Sequence, residues 1–359
     1  AISTRRAPAV KDVQPSAEDT MSATINVRSP LRVDFVGMTD YVPACRQFGG
    51  TIINATINKY IYATVRERED QRFIFHAPDH DDQWVTVESF DALDPNGELG
   101  LAQEIVRRFR LERGIELTTY SEMPAGAGLG SSSTIATCII VALDALTGYS
   151  RSAYEMAELA RECETVALRT TYGWQDQYSP VTGGGVKYMK YWPREVGWHI
   201  EVDVLPLHAP VIAELEKSLI VCYSGISRPA KQILDAVASG VALGTPQVLG
   251  ALKEMSACAD DVRLMLLRGQ LDEIGDTLDR VWGLHKRLHP DVTNDRIEEL
   301  LRTARKAGAT GGRVCGAGGG GAMLLHCAPD RAHAVRHALT EAGARVFDWS
   351  VDRNGALIW

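Results

Sequence analysis

The 359-residue chain has few of the features that mark membrane, secreted or nucleic-acid-binding proteins. No apolar run reaches the roughly 20 residues that a membrane-spanning helix needs. Its seven cysteines include no C-x-x-C pair and are odd in number, so we expect reduced thiols rather than disulfides or a zinc site. The formal net charge of −8 gives no general affinity for nucleic acid. We therefore expect a cytoplasmic protein without a membrane or nucleic-acid partner.

Length and composition predict a globular protein of two domains. Hydrophobic residues make up 45% of the chain and charged residues 23%, which is enough to build a sizeable core. A change of composition near Leu207–Pro210 predicts domains at 22–208 and 209–359. Residues 1–21 have no periodicity and no apolar signal-peptide core, so we expect a disordered leader with Met21 as the native start.

Hydrophobic periodicity places strands and helices along most of the chain. The predicted strands are Ile25–Val36, Thr51–Val65, Arg72–Phe75, Val85–Phe90, Ile115–Tyr120, Val186–Tyr191, Glu201–Leu207, Ser218–Cys222, Ala322–Cys327, Ala344–Trp349 and Ala356–Trp359. The predicted helices are Leu99–Glu112, Ile135–Leu146, Ser152–Leu168, Arg228–Ser239, Pro246–Leu267, Leu271–Leu288, Asp295–Gly308 and Asp330–Ala342. The segment Gly173–Tyr178 is predicted to be a loop.

The stretch Pro124–Thr137, PAGAGLGSSSTIAT, reads as a glycine-rich turn that opens directly into an apolar helix. Glycines allow a ligand to approach the backbone, and the first amides of a helix favour a phosphate group. The hydroxyls of Ser131–Ser133 can bind phosphate oxygens or Mg²⁺. The stretch lacks the Gly-Lys-Ser/Thr of a Walker A loop and the pattern of a dinucleotide site. The alternative is a tight loop with a serine N-cap and no ligand.

Two carboxylates, Asp40 and Glu164, and the arginine Arg32 are further candidate site residues. The segment Leu31–Tyr41, LRVDFVGMTDY, offers Arg32 in a strand and Asp40 in the turn that follows it. Glu164 lies in a predicted helix. Taken singly, the first segment can be an ordinary strand and turn, and Glu164 can be one of many solvated glutamates.

Two other segments are harder to explain as simple turns. Asp176, in the sequence GWQDQY, lies among glutamines and aromatic residues, whereas a turn aspartate normally stands beside Gly, Pro or Asn. It can act as a general base or as an electrostatic partner of a hydroxyl nucleophile. The glycine cluster in Thr310–Ala322 implies close backbone approach, because a floppy linker fits poorly between an apolar helix and an apolar strand.

Together these segments resemble the GHMP kinases, small-molecule kinases named for galactose, homoserine, mevalonate and phosphomevalonate. The likeness runs from Pro30 to about Cys327. Pro124–Thr134 matches the nucleotide motif P-x-x-x-G-L-G-S-S-x, and Gly311–Gly321 matches the C-terminal glycine-rich motif. RVDFVGMTDY, GWQDQY, YSGISRPA and AGATGGRVCGAGGGG most resemble the D-glycero-D-manno-heptose 7-phosphate kinases. One departure is Met38, where the family has a glycine beside the sugar, so the identity of the sugar stays open.

The resemblance implies an α+β fold of two α/β domains, with the active site in the cleft between them. The N-terminal domain would be like domain 2 of ribosomal protein S5, and the C-terminal domain ferredoxin-like. ATP would lie over Pro124, Gly126, Gly128, Leu129, Gly130, Ser131, Ser132 and Ser133. Magnesium would be bound by a hydroxyl of Ser132 or Ser133 and by Glu164.

The resemblance also assigns roles in catalysis and in substrate binding. Asp176 would orient or deprotonate the anomeric hydroxyl of the sugar, and Arg32 would stabilise charge on the transferring phosphoryl group or on Asp176. The expected substrate-binding residues are Thr39, Asp40, Gln175, Arg228, Gly318 and Gly319, with Arg228 holding a phosphate of the substrate.

Two alternatives remain beside a heptose 7-phosphate kinase. One is a kinase for an unphosphorylated sugar such as fucose or galactose. The other is a sensor that binds sugar and ATP without turnover. The expected partners are a small sugar or sugar phosphate and ATP, and a homodimer is left open.

Overall fold

The computed structural model describes residues 24–169, 173–193, 198–227 and 231–359. The predicted leader, residues 1–21, and the predicted phosphate ligand Arg228 lie outside the described residues.

Most of the predicted strands and helices are present, with bounds shifted by a few residues. The described strands are β1 (Thr24–Val36), β2 (Gly50–Glu67), β3 (Phe73–Ala77), β4 (Gln83–Val87), β5 (Ile115–Ser121), β6 (Val186–Pro193), β7 (Trp198–Val204), β8 (Leu219–Tyr223), β9 (Ala309–Val314), β10 (Ala322–Cys327), β11 (Arg345–Phe347) and β12 (Leu357–Ile358). The described helices are α1 (Val42–Phe48), α2 (Gly100–Phe109), α3 (Ser131–Thr147), α4 (Ala153–Ala167), α5 (Gln175–Val181), α6 (Ala209–Ser218), α7 (Lys231–Ala242), α8 (Pro246–Arg268), α9 (Ile274–Lys286), α10 (Asp295–Ala307) and α11 (Ala332–Glu341).

The first sheet is organised around the long strand β2. Its eighteen residues pair with β1 along most of their length, with β6 near the start and with β5 near the end. The strand order is β12-β1-β2-β5-β3-β4, and β6 and β7 extend the sheet from the first half of β2. The buried helix α3 packs on β1 and β2 and also against α4. This packing brings the N-terminus of α3 close to the strand that carries Arg32.

The second sheet is antiparallel, with the order β11-β8-β10-β9. Helices α7 to α10 form the connection from β8 to β9, and α11 connects β10 to β11. This is the β-α-β-β-α-β arrangement of a ferredoxin-like unit, with an enlarged first connection. The predicted boundary between residues 208 and 209 stays a prediction.

The end of the chain returns to the first sheet. β12 pairs with β1, and Ile57 forms a bridge with Val351. The amide of Ala356 donates to the carbonyl of Pro180 in α5 at 2.9 Å. Residues 351–359 therefore lie against both the strand that carries Arg32 and the helix that carries Asp176.

The prediction of a loop at Gly173–Tyr178 is wrong, because α5 begins at Gln175. This helix has only seven residues and contains Pro180, so its sequence has no helical period to detect. The short helices α1 and α6 were also not predicted. Helices α1 and α5 pack against segments that are far away in the sequence.

No single helix in the described ranges is long and apolar enough to cross a membrane. Helices α7 and α8 reach that length and apolarity only as a pair, and they are bent by 106° at the break between them.

Candidate active site

A cavity of about 550 Å³ lies where both glycine-rich loops meet the start of α3, helices α4 and α5, and the start of α7. Most of the predicted site residues line it. They are Arg32, Asp40, Gly126, Gly128, Gly130, Ser131, Ser132, Ser133, Glu164, Gln175, Asp176 and Gly318. Segments that are far apart in the sequence are thus brought together around one space.

Four of the predicted site residues that the structure describes are not among the residues that line this cavity. Leu129 is fully buried in the core, and Pro124 accepts the amide of Ala127 within the loop. Thr39 donates its hydroxyl to the carbonyl of Thr51. The amide of Gly319 donates to the carbonyl of Val292, and its carbonyl accepts a hydrogen bond from the side chain of Asn294. For these four residues, contact with a ligand stays a prediction.

Helix α3 begins with a glycine cap rather than with the serine N-cap considered above. Gly130 occupies the N-cap position with φ 81°, in the left-handed region that favours glycine. Ser131, Ser132 and Ser133 therefore form the first turn, where backbone amides have no partner within the helix. The hydroxyl of Ser131 is buried and has no hydrogen-bond partner among the described atoms. This turn offers amides and hydroxyls to an anion in the cavity.

The second glycine-rich loop lies directly on the first. A Cβ added at Gly128 would lie 2.9 Å from the carbonyl oxygen of Cys315, and the amide of Ala322 donates to Ala127 at 2.7 Å. A side chain at Gly128 would push the loops apart. In the second loop, a Cβ added at Gly321 would lie 2.7 Å from the carbonyl oxygen of Ala127, so this cluster makes the close backbone approach that the sequence predicted.

Arg32 and Asp176 form a bidentate ion pair at the cavity wall. Nε donates to Oδ1 at 2.6 Å and Nη2 to Oδ2 at 2.9 Å, while Nη1 donates to the carbonyl of Gly128 at 2.6 Å. The arginine side chain is almost fully buried, whereas the aspartate side chain is 27% exposed. Burial disfavours the charge of Arg32, but the nearby charges of Asp176 and Asp34 outweigh it and raise the arginine pKa. The guanidinium is a fixed positive charge beside the carboxylate.

A cluster of hydroxyl and carboxyl groups joins α3 to α4. Ser132 donates to Oε1 of Glu164 at 2.9 Å, and Ser133 donates to Oε2 at 2.9 Å. Gln177 donates from its Nε2 to Glu164 and to the hydroxyl of Ser133, while its Oε1 is buried and has no hydrogen-bond partner in the described part of the chain. Burial raises the pKa of Glu164 although these hydrogen bonds oppose the shift.

This oxygen-rich cluster is of the kind that suits magnesium. No group of three His, Cys, Asp or Glu side chains in the described part of the chain could hold a metal ion. Magnesium at a nucleotide site needs fewer protein ligands than that. One or two protein oxygens coordinate the ion together with water molecules and the phosphates of the nucleotide. The serine hydroxyls, the Glu164 carboxylate and the unpartnered Gln177 oxygen fit such a site.

The side chain of Asp40 lies beside the first residues of α5, although Asp40 itself follows β1. Its Oδ2 accepts the backbone amides of Trp174 at 3.1 Å and Gln175 at 3.3 Å. Burial, followed by the charge of Asp176, raises the pKa of Asp40 to about 7. The residue that was predicted to bind sugar hydroxyls thus also contacts the backbone of the helix that carries Asp176.

Sequence reasoning missed a buried ion pair that supports the second loop. Asp34 accepts Arg313 Nη1 at 3.1 Å and the amide of Gly316 at 3.2 Å, and both charged side chains are fully buried. Asp34 stands two positions after Arg32 on one strand, so both point to the same face. That spacing was the signal in the sequence that could have identified Asp34 as a site residue. Its partner Arg313 lies 279 residues away, and no sequence pattern identified it.

His285 contacts the same loop. Its Nε2 lies 3.2 Å from the carbonyl oxygen of Ala317. Burial, helped by the charge of Arg313, lowers the pKa of His285 to about 3, so the imidazole is neutral at ordinary pH. A neutral imidazole can donate to the carbonyl without adding charge beneath the cavity.

Comparison with known proteins identifies the family of this chain. Residues 99–184 match the family profile of the GHMP kinases N terminal domain, and residues 263–345 match GHMP kinases C terminal. The chain is 30% identical over 342 residues to D-glycero-alpha-D-manno-heptose 7-phosphate kinase of Campylobacter jejuni, which covers 94% of this chain and 99% of that protein.

Two further relatives are similar over most of this chain. The crystal structure of a D-glycero-D-manno-heptose 1-phosphate kinase from Bacteroides thetaiotaomicron has a TM-score of 0.77 and 28% identity, covering 93% of this chain and 98% of that one. The bifunctional fucokinase/GDP-fucose pyrophosphorylase of Arabidopsis thaliana is 28% identical over 345 residues, which are 90% of this chain but 32% of that protein.

These matches confirm the predicted two-domain α/β fold. The chain belongs to the GHMP kinase superfamily and is an ATP-dependent kinase of that family.

Proposed function

We propose that this kinase phosphorylates the anomeric hydroxyl of D-glycero-D-manno-heptose 7-phosphate and forms the 1,7-bisphosphate, a step of nucleotide-activated heptose biosynthesis. The Arg32–Asp176 pair carries this proposal, because it provides a paired carboxylate at the edge of a loop suited to phosphate. Full-length similarity to a heptose 7-phosphate kinase supports the choice of sugar.

The nucleotide phosphates would contact the first turn of α3 and the loop before it. Backbone amides at a helix N-terminus bind anions through hydrogen bonds and through the positive end of the helix dipole. Ser132, Ser133 and Glu164 would hold magnesium on this side of the cavity. The ion would neutralise charge on the phosphates when it is bound.

Asp176 would receive the anomeric hydroxyl on the opposite side of the transferring group. Because Arg32 bonds both of its oxygens, the carboxylate has one orientation. A carboxylate so placed can orient the hydroxyl, take its proton and favour attack on phosphorus. Arg32 would balance the negative charge that collects between the carboxylate and the phosphoryl group.

The far phosphate of the substrate needs a cation, and Arg228 remains the proposed ligand. It follows Ser227, which lines the cavity. Losing one such contact costs on the order of 1.5–3 kcal/mol. We therefore expect Arg228→Ala to raise the KM for the sugar phosphate more than the KM for ATP.

A kinase for unphosphorylated fucose is the second candidate, and similarity to a fucokinase favours it. A coupled assay of ADP release should compare heptose 7-phosphate, heptose, mannose and fucose at equal concentrations. We expect the highest kcat/KM with heptose 7-phosphate. Equal activity on heptose and heptose 7-phosphate would remove the role of the far phosphate, and preference for fucose would support the second candidate.

A further inference from the structure

We infer that Asp40 is a positioning residue for catalysis, because its carboxylate fixes the start of α5 and thereby the orientation of Asp176 at the edge of the sugar site. This inference rests on the proposed roles of Asp176 and of the cavity. It gives Asp40 a second task beside the contact with sugar that was predicted from the sequence.

Helix α5 cannot hold its own position. Its seven residues are too few for a helix that is stable alone, and among the described residues its N-cap residue Trp174 makes no side-chain cap bond. The first amides of any helix need partners from outside it. Here Oδ2 of Asp40 supplies the partner for two successive amides, those of Trp174 and Gln175. Asp176 is the next residue along the chain.

The approach of Asp40 to the helix depends on Gly173. A Cβ added there would lie 2.4 Å from Oδ2 of Asp40, well inside van der Waals contact. The absence of a side chain at this position allows the carboxylate to reach the amides. Substitution of Gly173 would displace the carboxylate, the helix or both.

Asp40 is itself fixed to the central sheet. Its neighbour Thr39 donates a hydroxyl hydrogen bond to the carbonyl of Thr51 on β2, and the Sγ of Cys45 donates to the carbonyl of Thr39 at 3.0 Å. The carboxylate is thus a rigid support rather than a mobile surface group. A rigid support can set the position of α5 relative to Arg32, which lies on the neighbouring strand β1.

The two ends of the carboxylate face different partners. Both amide bonds end on Oδ2, and Asp40 lines the cavity, so Oδ1 is the atom that can meet a sugar hydroxyl. A hydrogen bond from the sugar to Oδ1 would favour the ionised carboxylate. The ionised carboxylate binds the α5 amides more strongly, since charge-assisted hydrogen bonds are roughly twice as strong as neutral ones. Sugar binding would therefore tighten the placement of Asp176.

The ionised and protonated forms of Asp40 are of similar free energy near pH 7. Asp176 and Arg32 act on it with opposite sign, and the thiol of Cys45 lies close enough to sense its charge. With a pKa of about 7, Asp40 loses its charge as the solution becomes mildly acidic. We expect kcat/KM, which reports the free enzyme, to fall on the acid side with an apparent pKa near 7.

The test compares Asp40→Asn and Asp40→Ala with the parent enzyme. Asparagine keeps an oxygen that can accept the α5 amides and caps helices about as well as aspartate, so kcat should stay within about 10-fold. Alanine removes the acceptor, and misplacement of a catalytic group by about 1 Å can cost 100-fold, so kcat should fall by about that factor. The acid limb near pH 7 should be absent from both variants. Titration of the substrate phosphates changes the pH profiles of the parent enzyme and the variants equally, so it does not affect their comparison.

Asp144→Asn is the matched control. Asp144 is another buried aspartate, paired with Arg151, and it lies eleven residues along α3 from Ser133, about 16 Å away. Its substitution should leave the pH profile unchanged. Hydrogen exchange of the peptide that covers α5 gives a second readout without substrate, with faster exchange expected in Asp40→Ala than in Asp40→Asn.

Two outcomes would overturn the inference. If both Asp40 variants raise only the KM for sugar and leave kcat and the acid limb intact, Asp40 binds sugar without positioning Asp176. If α5 exchanges equally fast in all proteins, the carboxylate does not stabilise the helix. The exchange result does not depend on the identity of the sugar, so failure of the proposed substrate is distinguishable from failure of this inference.

Discussion

Arg32 and Asp176 are separated by 144 positions in the sequence, yet they meet through two parallel hydrogen bonds at the wall of the cavity. The arginine belongs to a central strand and is buried, whereas the aspartate lies on a short helix and is partly exposed. The pair therefore joins a rigid support to a group that a substrate can reach. A bidentate arginine also fixes the direction in which the carboxylate oxygens point.

Asp176→Asn should abolish most turnover and leave both ligands bound. The amide keeps the size of the side chain but cannot take a proton or attract charge as a carboxylate does. General-base assistance is worth about 10²–10⁴ in rate, so kcat should fall by about that much while KM values move little. Steady-state kinetics, ATP calorimetry and melting temperature should be measured together. Near-parental kcat would contradict the catalytic role, and a collapsed melting temperature would make the residue structural.

Gly130→Ala should weaken ATP binding more than Gly148→Ala. Both glycines flank α3 and have positive φ, 81° and 71°, so each alanine costs about 1–2 kcal/mol of stability. A Cβ at Gly130 would lie 3.1 Å from the carboxyl carbon of Asp176, whereas one at Gly148 would have no atom of the described ranges within 4 Å. Calorimetry should find reduced ATP affinity in the first variant alone. Equal affinity in the two folded variants would argue against binding of phosphate at this loop.

Glu164→Gln should raise the magnesium concentration needed for activity by roughly 10–100-fold. An amide oxygen carries no net charge and binds a divalent cation more weakly than a carboxylate does. Because burial raises the pKa of Glu164, removing its charge should not lower the melting temperature of the protein without metal. Glu162→Gln, at an exposed position on the same helix, is the control and should leave the magnesium dependence unchanged. An unaltered dependence in Glu164→Gln would assign the metal to other ligands.

Lys187→Met should stabilise the protein at neutral pH. The amine is buried without a hydrogen-bond partner among the described atoms, and burial lowers its pKa to about 7. Between pH 7 and about 10 the unfolded chain binds this proton and the folded chain does not, so parental stability rises with pH. Methionine should remove that slope and add about 2–4 kcal/mol at pH 7. Denaturation at several pH values checks this, with Lys190→Met on the same strand as control. Lower stability of Lys187→Met at pH 7 would disprove the expectation.

Met38→Gly should be more stable than Met38→Ala. Met38 is buried beside the cavity with φ 68°, a backbone conformation that costs a residue with a Cβ about 1–2 kcal/mol. Both variants lose the packing of the side chain, but only glycine relieves the backbone. Thermal denaturation should therefore rank glycine above alanine. The reverse order would indicate that the left-handed conformation is not maintained in solution.

The sequence predicted the parts of the site that lie in continuous motifs. The glycine-rich loop, the serines and the segment around Asp176 each carry a local pattern, and most of the strands and long helices follow their hydrophobic period. The position of α5 had no such pattern. Its stability comes from the carboxylate of Asp40, from Ala356 near the end of the chain, and from Asn54, whose amide donates to the Gln175 side chain at 3.2 Å.

The buried support of the second loop was equally invisible in the sequence. A charged residue is normally exposed, so Arg313 in a strand predicts a solvated face. Its burial depends on Asp34 and on the carbonyl oxygen of Phe35, which lie in the other half of the chain. Partners at such separation leave no spacing that one sequence can reveal.

The pairing of β12 with β1 has a consequence for the order of events during synthesis. Residues 351–359 leave the ribosome after the other described residues, yet they border both β1 and α5. The first sheet can begin to form while the second is still being translated, since domains fold from the N-terminal side first. Its edge, and the support of α5 at Pro180, are completed only after those residues emerge. A nascent chain that lacks them would leave the ribosome with its first glycine-rich loop formed and with α5 unsecured.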